Sequence, residues 1–353
     1  MNRTSKLGLG VASAFALALL PTLNANADVQ AQAGDIVGVG SDTVQYLGDF
    51  IADGDFNGHT GYNPTHLSNR LVNFHATGDA FGSLTAGVGI VERAGQKPTV
   101  RPDGSGTGYD AINADTAGTI NYVRASGTPN AARVSAANAA FGGYHAYRVA
   151  TDDVRIGVSG LVPSEVPANL TTSELATLYS ANAPCPTFAA AIGRGPANPA
   201  HPVIPQSGSG TRNSFLASIG VPTPGTCAAT VQEHDPKPIR SDADAFGPFS
   251  AGRLSLINAG YFTGAGINAG DIVVQSAGFP AARPLYLVLK QNDLTNSDGS
   301  VKGVPNATTI SALFAPAVGA YTRSSASALF ASAGFTRSFL DCEASGSGPN
   351  TFC

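Results

Sequence analysis

An α/β fold is the architecture this 353-residue sequence predicts, on two observations. Short β-branched runs alternate along the chain with segments whose apolar residues recur at helical spacing. Several of the strand-like runs end in turns rich in glycine, serine and threonine that open directly into a helix-like segment.

Residues 36–39 are a β-branched run, and residues 43–52 carry Val44, Leu47 and Ile51 at helical spacing, so the first unit reads strand, turn, helix. Residues 71–75, 98–100, 120–123 and 144–149 read as further strands. Thr171-Thr172-Ser173-Glu174 is a capping box ahead of Leu175 and Leu178 and starts a helix. Val203-Ile204 leads through Gly208-Ser209-Gly210-Thr211 into Ser214-Phe215-Leu216, again strand, turn, helix. Residues 285–290 form a late strand, followed by the turn Ser297-Asp298-Gly299 and a helix near 309–314. No low-complexity tract marks a linker, so any domain boundary must be crossed by ordinary strands.

Composition bounds the function. Hydrophobic residues at 43% supply sizeable cores, and the length suits two ordinary domains. Charged residues are 12%, about half the usual share, which argues against charge-driven disorder. Net charge is −4 with no basic run that could track a phosphate backbone, so nucleic acid is not an expected partner. The 42 glycines and 23 prolines imply many turns.

The N-terminus predicts the compartment. Arg3 and Lys6 precede an apolar run over residues 7–20, and Ala25-Asn26-Ala27 is a small-x-small cleavage signature, so residues 1–27 are expected to be a secretory signal peptide. The run is shorter than the about 20 residues a membrane span needs. No cysteine stands near the cleavage point, so no lipid anchor is expected, and the mature chain is placed outside the cytoplasm, extracellular or periplasmic. Cys185, Cys227, Cys342 and Cys353 are an even set in a secreted chain and permit three pairings. Sequence neighbours, Cys185 with Cys227 and Cys342 with Cys353, are the expected pairs. Zinc is not expected, because no pair has C-x-x-C spacing and no histidine sits at ligand spacing from them.

Chemistry concentrates in three turns: Gly38-Val39-Gly40-Ser41-Asp42-Thr43, Asp103-Gly104-Ser105-Gly106-Thr107-Gly108 and Ser207-Gly208-Ser209-Gly210-Thr211-Arg212. A helix N-terminus exposes unpaired backbone N–H groups and a partial positive charge, glycine permits close approach, and hydroxyls add donors. A single such turn is ordinarily an N-cap. Three of them suit convergence on one oxyanion. Other constellations fail. Asp242-Ala243-Asp244-Ala245-Phe246-Gly247 opens like a calcium loop, but Phe246 occupies a ligand position and Arg253 stands where the bidentate glutamate belongs. Asp103 and Ser207 replace the first glycine of a nucleophile elbow, and the Walker pattern is absent. The histidines (His59, His66, His75, His145, His201, His234) show no metal spacing and receive no role. Asn169-Leu170-Thr171 and Asn306-Ala307-Thr308 match the glycosylation acceptor, a pattern short enough to arise by chance.

With these residues in view, the chain resembles the phosphate-binding proteins of phosphate ABC importers. Pro205-Gln206-Ser207-Gly208-Ser209-Gly210-Thr211 is similar to that family's Arg-x-Asp-Gly-Ser-Gly-Thr segment. Residues 39–43 and 104–107 resemble its first two ligand turns, and 121–129 the segment that supplies its acidic ligand reader. The resemblance implies a two-lobe periplasmic-binding-protein-like fold of the second type, with the anion held between lobes joined by crossing strands. Residues 34–145 plus 275–353 would form lobe I and 146–274 lobe II, with residues 147–158 and the stretch after Gln275 as the crossing strands. It implies a non-enzymatic, monomeric, cofactor-free receptor that captures phosphate and presents it to a membrane importer. Carried over by position, the ligand set is Ser209, Gly210 and Thr211, then Ser105, Gly106 and Thr107, then Ser41, Asp42 and Thr43, with Ser126 from the acidic segment.

Two departures stand out. Pro205 replaces the family's arginine, and Arg124-Ala125-Ser126-Gly127 lacks its aspartate, which accepts the proton of phosphate and repels sulfate. Arg124, Arg212 or Arg101 are the candidate replacement cations, and Asp42 or Asp103 the candidate acceptors. The same departures carry an alternative: an extracellular two-lobe binder that has lost phosphate specificity or a transport role. A secreted serine hydrolase or phosphatase using Ser105 or Ser209 ranks third, since no Ser/His/Asp arrangement is recognisable.

Overall fold

The computed structural model describes residues 30–77, 89–279, 281–294, 312–345 and 348–353. The predicted signal peptide, the turn at 297–299, Asn306 and the start of the helix expected at 309–314 lie outside the described residues.

The strands are β1 (Ile36–Gly40), β2 (Leu71–Asn73), β3 (Gly89–Ile90), β4 (Thr99–Val100), β5 (Tyr122–Ala125), β6 (Tyr144–Ser159), β7 (His201–Pro205), β8 (Ala229–Val231), β9 (Ala245–Ser250), β10 (Ile272–Val274), β11 (Ala281–Lys290) and β12 (Thr336–Asp341). The helices that matter for the site are α1 (Gln45–Asp53), α2 (Ser105–Ala114), α3 (Ala131–Phe141), α4 (Thr172–Ser180), α5 (Phe188–Ile192), α6 (Gly210–Ser218), α7 (Lys237–Arg240) and α8 (Ala251–Asn258).

Ten strands form one mixed sheet in the order β2-β1-β5-β11-β6-β9-β7-β8, with β10 and β12 also pairing β6. Its two ends are parallel, β2-β1-β5 on one side and β9-β7-β8 on the other. All five residues of β1 are buried, as a parallel strand covered on both faces requires. Between the two ends run β6 and β11, antiparallel from Ala281 opposite Val154 to Lys290 opposite Tyr144. Strand β6 changes partner along its 16 residues, pairing with β12 near Tyr147–Thr151 and with β9 over Val154–Val158.

Period-2 alternation divides the core. On β11, Tyr286 and Val288 pack with Val37, Val39 and Tyr109, while Leu285, Leu287 and Leu289 face a larger cluster that includes Leu47 and Ile51 of α1 and Leu256 and Ile257 of α8. A third cluster surrounds the far end of β6, with Val154, Ile156, Ile204, Phe215 and Phe246. The expected disulfides are formed: Cys185 bonds Cys227 and Cys342 bonds Cys353, each with Cα atoms 5.3 Å apart.

Helix α4 starts where the capping box predicts, with both halves of the box made. Sequence periodicity missed α3 and the β9–α8 unit, because α3 is alanine-rich and β9 carries Pro248 and Gly247. Among the described residues no helix is long and apolar enough to cross a membrane.

Candidate functional site

The three glycine–hydroxyl turns meet. Ser41 follows β1, Ser126 follows β5, and Ser105 opens α2. The Ser41 Oγ donates to Ser126 Oγ at 2.9 Å, and Ser105 Oγ accepts from the Ser126 amide at 2.9 Å. The third turn closes on the second backbone to backbone, with the Gly106 amide donating to the Gly208 carbonyl at 2.8 Å. Glycine is required at this contact. A Cβ on Gly104 would stand 2.6 Å from the Gly208 oxygen, and Gly208 has φ +92°. Ser209 caps α6, its Oγ accepting from the Arg212 amide at 3.0 Å.

Beside this junction lies a buried network of charged groups and hydroxyls. Thr43 Oγ1 donates to Glu233 Oε1 at 3.0 Å, and Thr211 Oγ1 donates to the same oxygen. Arg283, from β11, donates through Nη1 to Thr211 Oγ1 at 2.7 Å and through Nη2 to Thr43 Oγ1 at 3.2 Å. Asp152 of β6 steadies that guanidinium, accepting from Nε at 3.0 Å and Nη2 at 2.8 Å. Its other oxygen accepts from Ser250 Oγ at 2.9 Å. Each threonine hydroxyl therefore accepts from the cation and passes its one proton to the carboxylate. The second carboxylate oxygen of Glu233 is buried and without a hydrogen-bond partner among the described residues.

Asp42 lies next to this network. It accepts from Arg253 at 2.9 Å on one oxygen and pairs with His234 Nδ1 at 2.9 Å on the other. Burial pushes the Asp42 carboxyl up, but the Arg253 guanidinium and His234 outweigh it and hold the group below the ordinary carboxylate range. Asp103, at the start of the second turn, is raised by burial and by the charges of Glu233 and Asp42.

Ser41, Asp42, Thr43, Ser105, Gly106, Ser126, Ser209, Gly210 and Thr211 thus lie together, all buried. Thr107 instead staples its own turn, donating to Asp103 Oδ1 at 3.0 Å. None of the expected cations joins the threonine network. Arg124 is fully buried but donates to the Gly38 and Phe74 carbonyls and to Asn73. Arg212 donates to the Pro205 carbonyl at 2.8 Å, and Arg101 to that of His75 at 2.8 Å. The cation of the threonine network is Arg283 and the carboxylate that receives both hydroxyls is Glu233, while Arg253 pairs with Asp42 beside them. Two signals were legible: Ser250-Ala251-Gly252-Arg253 is a fourth hydroxyl-and-glycine turn after an apolar run, and Arg283 is a lone cation inside an apolar strand. The histidines were given no role, whereas His234 is buried and held on Asp42.

The Asp42–His234 pair has the orienting half of a hydrolytic triad, yet His234 Nε2 has no hydrogen-bond partner among the described residues, so no hydroxyl is positioned for activation. Away from this network, folding brings His201, Asp242 and Asp244 within 4.8 Å of one another, a grouping that linear spacing did not reveal. His201 Nδ1 there pairs with Asp242 at 2.9 Å.

No protein-family model matches the chain, and no curated protein matches it by sequence. Solved structures do match. An ABC-type phosphate transport receptor from Vibrio cholerae aligns with TM-score 0.51 and 16% identity over 86% of this chain and 100% of the other. A putative phosphate ABC transporter substrate-binding protein from Clostridium perfringens, solved with bound phosphate, aligns with TM-score 0.54 and 14% identity over 86% and 99%. The likeness is one of fold, and it establishes the two-lobe periplasmic-binding-protein-like α/β architecture for this chain.

Proposed function

We propose that this chain is a secreted solute-binding protein that captures an oxyanion, phosphate, and presents it to an ABC importer in the membrane. The observation that carries the reading is the Arg283–Thr43–Thr211 cluster: one guanidinium fixed by Asp152 and two hydroxyls, all converging beside the N-terminus of α6. A dianion leaving water requires many converging donors, and charge-assisted ones contribute most. Arg283 takes the part of the arginine that Pro205 lacks. Glu233 takes the part of the missing aspartate, its open oxygen serving as acceptor for the P–OH of a protonated phosphate and repelling fully ionised sulfate.

Lobe I comprises 34–145 plus 275–353 and lobe II 146–274, with β6 and β11 as crossing strands. On that division the Thr43–Thr211, Thr43–Glu233 and Asp42–Arg253 contacts all span the cleft. Closure would complete the anion's shell and make the closed form the state a permease reads. The signal peptide expected at 1–27 would deliver a monomer to the periplasm or exterior, where it acts by binding its ligand.

Thermal shift and calorimetry at pH 7 test the reading, because a ligand of the native state raises its melting temperature. Phosphate is expected to stabilise the wild type, sulfate not, and Arg283→Met to abolish the effect. One observation favours a second reading. Glu233 already receives both threonine hydroxyls, as an internal anion would, which suits a two-lobe binder that has given up phosphate. Glu233→Gln separates the two. Weaker phosphate binding with sulfate admitted supports the proton-reading role; tighter binding of both anions supports the internal anion.

A further inference from the structure

Next to Arg283 and Ser126 lies a cavity of about 230 Å³, lined by Ser126, Gly127, Thr128, Asn213, Ser214, Ala217, Arg283, Pro284 and Tyr286. Its floor is the buried end of the candidate site, Ser126 and Arg283, and its mouth is at the exposed residues Thr128, Asn213 and Ala217. Arg283 ties the two spaces together, since the Nη1 that donates to Thr211 is also 3.4 Å from Ser214 Oγ. From this juxtaposition we infer that the site accepts the phosphoryl group of a small phosphomonoester, with the organic substituent lying in the cavity. The inference rests on the oxyanion reading above and narrows its ligand class.

Three features define the substituent. The volume equals about seven or eight waters at roughly 30 Å³ each, room for a three- or four-carbon unit. Among the described residues Arg283 is the only charged one of the lining, and its guanidinium is already held by Asp152, so the walls offer no free charge to pair with a charged substituent and an uncharged one suits them. The walls alternate apolar surface from Ala217, Pro284 and the Tyr286 ring with donors and acceptors from Thr128, Asn213 and Ser214, which suits a short polyol better than an alkyl chain. The Tyr286 hydroxyl takes no part, because it donates to the Cys353 carbonyl at 3.0 Å.

Calorimetry on the full mature chain would compare inorganic phosphate, glycerol 3-phosphate and glycerol, in the wild type and in Ala217→Phe and Asn213→Leu. Both substitutions lie on the exposed face of α6 and fill the mouth without touching Arg283. Glycerol 3-phosphate is expected to bind at least as tightly as phosphate, with glycerol silent. Each variant is expected to weaken the ester at least tenfold while leaving phosphate within twofold. Phosphate binding with the ester more than tenfold weaker in the wild type would overturn the inference and leave the oxyanion reading standing. Equal loss of both ligands in the variants would also overturn it. Failure of both ligands to bind the wild type would overturn the oxyanion reading and this inference with it.

Discussion

Asp42 and Arg253, 211 residues apart in sequence, meet at 2.9 Å with side chains only 2% and 1% exposed. The pair is held from several directions. Arg253 also donates to the Asp42 carbonyl and stacks 4.5 Å over the Tyr46 ring, and His234 occupies the other Asp42 oxygen. It couples the first glycine–hydroxyl turn to α8, so disturbing either residue acts on the fold and on the candidate site together.

Removing one partner leaves the other's charge buried without its ion pair. Asp42→Asn and Arg253→Met are each expected to destabilise the protein by about 3–5 kcal/mol. The double variant should lose less than the sum of the two. Urea unfolding of all four proteins checks this; an additive double variant would show that the pair contributes nothing as a pair.

The sequence made Asp42 visible and left Arg253 hidden for a physical reason. Hydroxyls and glycines at a helix start announce themselves locally, since capping and left-handed φ are local demands, and Ser41, Ser105 and Thr211 were found that way. The side chains of Arg253, Arg283 and Glu233 act through contacts made 69 to 240 residues away, apart from the Thr211–Glu233 bond at 22. No spacing encodes such contacts. The central strands were legible by their apolar runs, but the run of β6 stops at Ala150, because Thr151, Asp152 and Asp153 interrupt it, and its continuation to Val158 came only with the two-lobe resemblance. Asp152 is there to hold Arg283, so the interruption marks the site.

Strong acid should weaken α4. The Arg194 guanidinium and the capping bonds to Thr171 bring the Glu174 carboxyl from its usual 4.5 down to about 2. Because the folded value is the lower one, the contribution is fully present above pH 4.5 and disappears as pH falls toward 2. Glu174→Gln is therefore expected to be less stable than wild type at pH 6 and to converge with it near pH 2. Denaturant midpoints at the two pH values measure this. A constant gap would mean that the charge is irrelevant.

The two disulfides should differ in worth. In the chain-entropy account, a crosslink stabilises through the loop it closes in the unfolded chain. Cys185–Cys227 spans 42 residues and Cys342–Cys353 spans 11, which corresponds to about 4 and about 3 kcal/mol. Replacing either pair by serine should lower the melting temperature, the first more than the second. The second should in addition loosen the C-terminal contacts, where Phe352 meets Tyr109 and Tyr286 edge-on and Asn350 bonds Tyr144. Near-ultraviolet circular dichroism of the tyrosines would register that loosening.

Gly210 offers the most local test of convergence. It is the first residue of α6, where alanine would ordinarily be the better helix former by up to about 1 kcal/mol. A Cβ there would instead run into the hydroxyls of Ser105 and Ser126 and approach the Ser126 carbonyl carbon at 2.9 Å. The clash sets the sign, because backbone cannot yield as a flexible side-chain tip can. Gly210→Ala is expected to destabilise by about 1–3 kcal/mol and to reduce the phosphate-induced thermal shift. Gly264→Ala, whose Cβ would meet nothing within 4 Å, serves as control and should leave both unchanged. If Gly210→Ala gained stability, the second and third turns would not be in contact in solution, and the anion site built on their meeting would be lost with it.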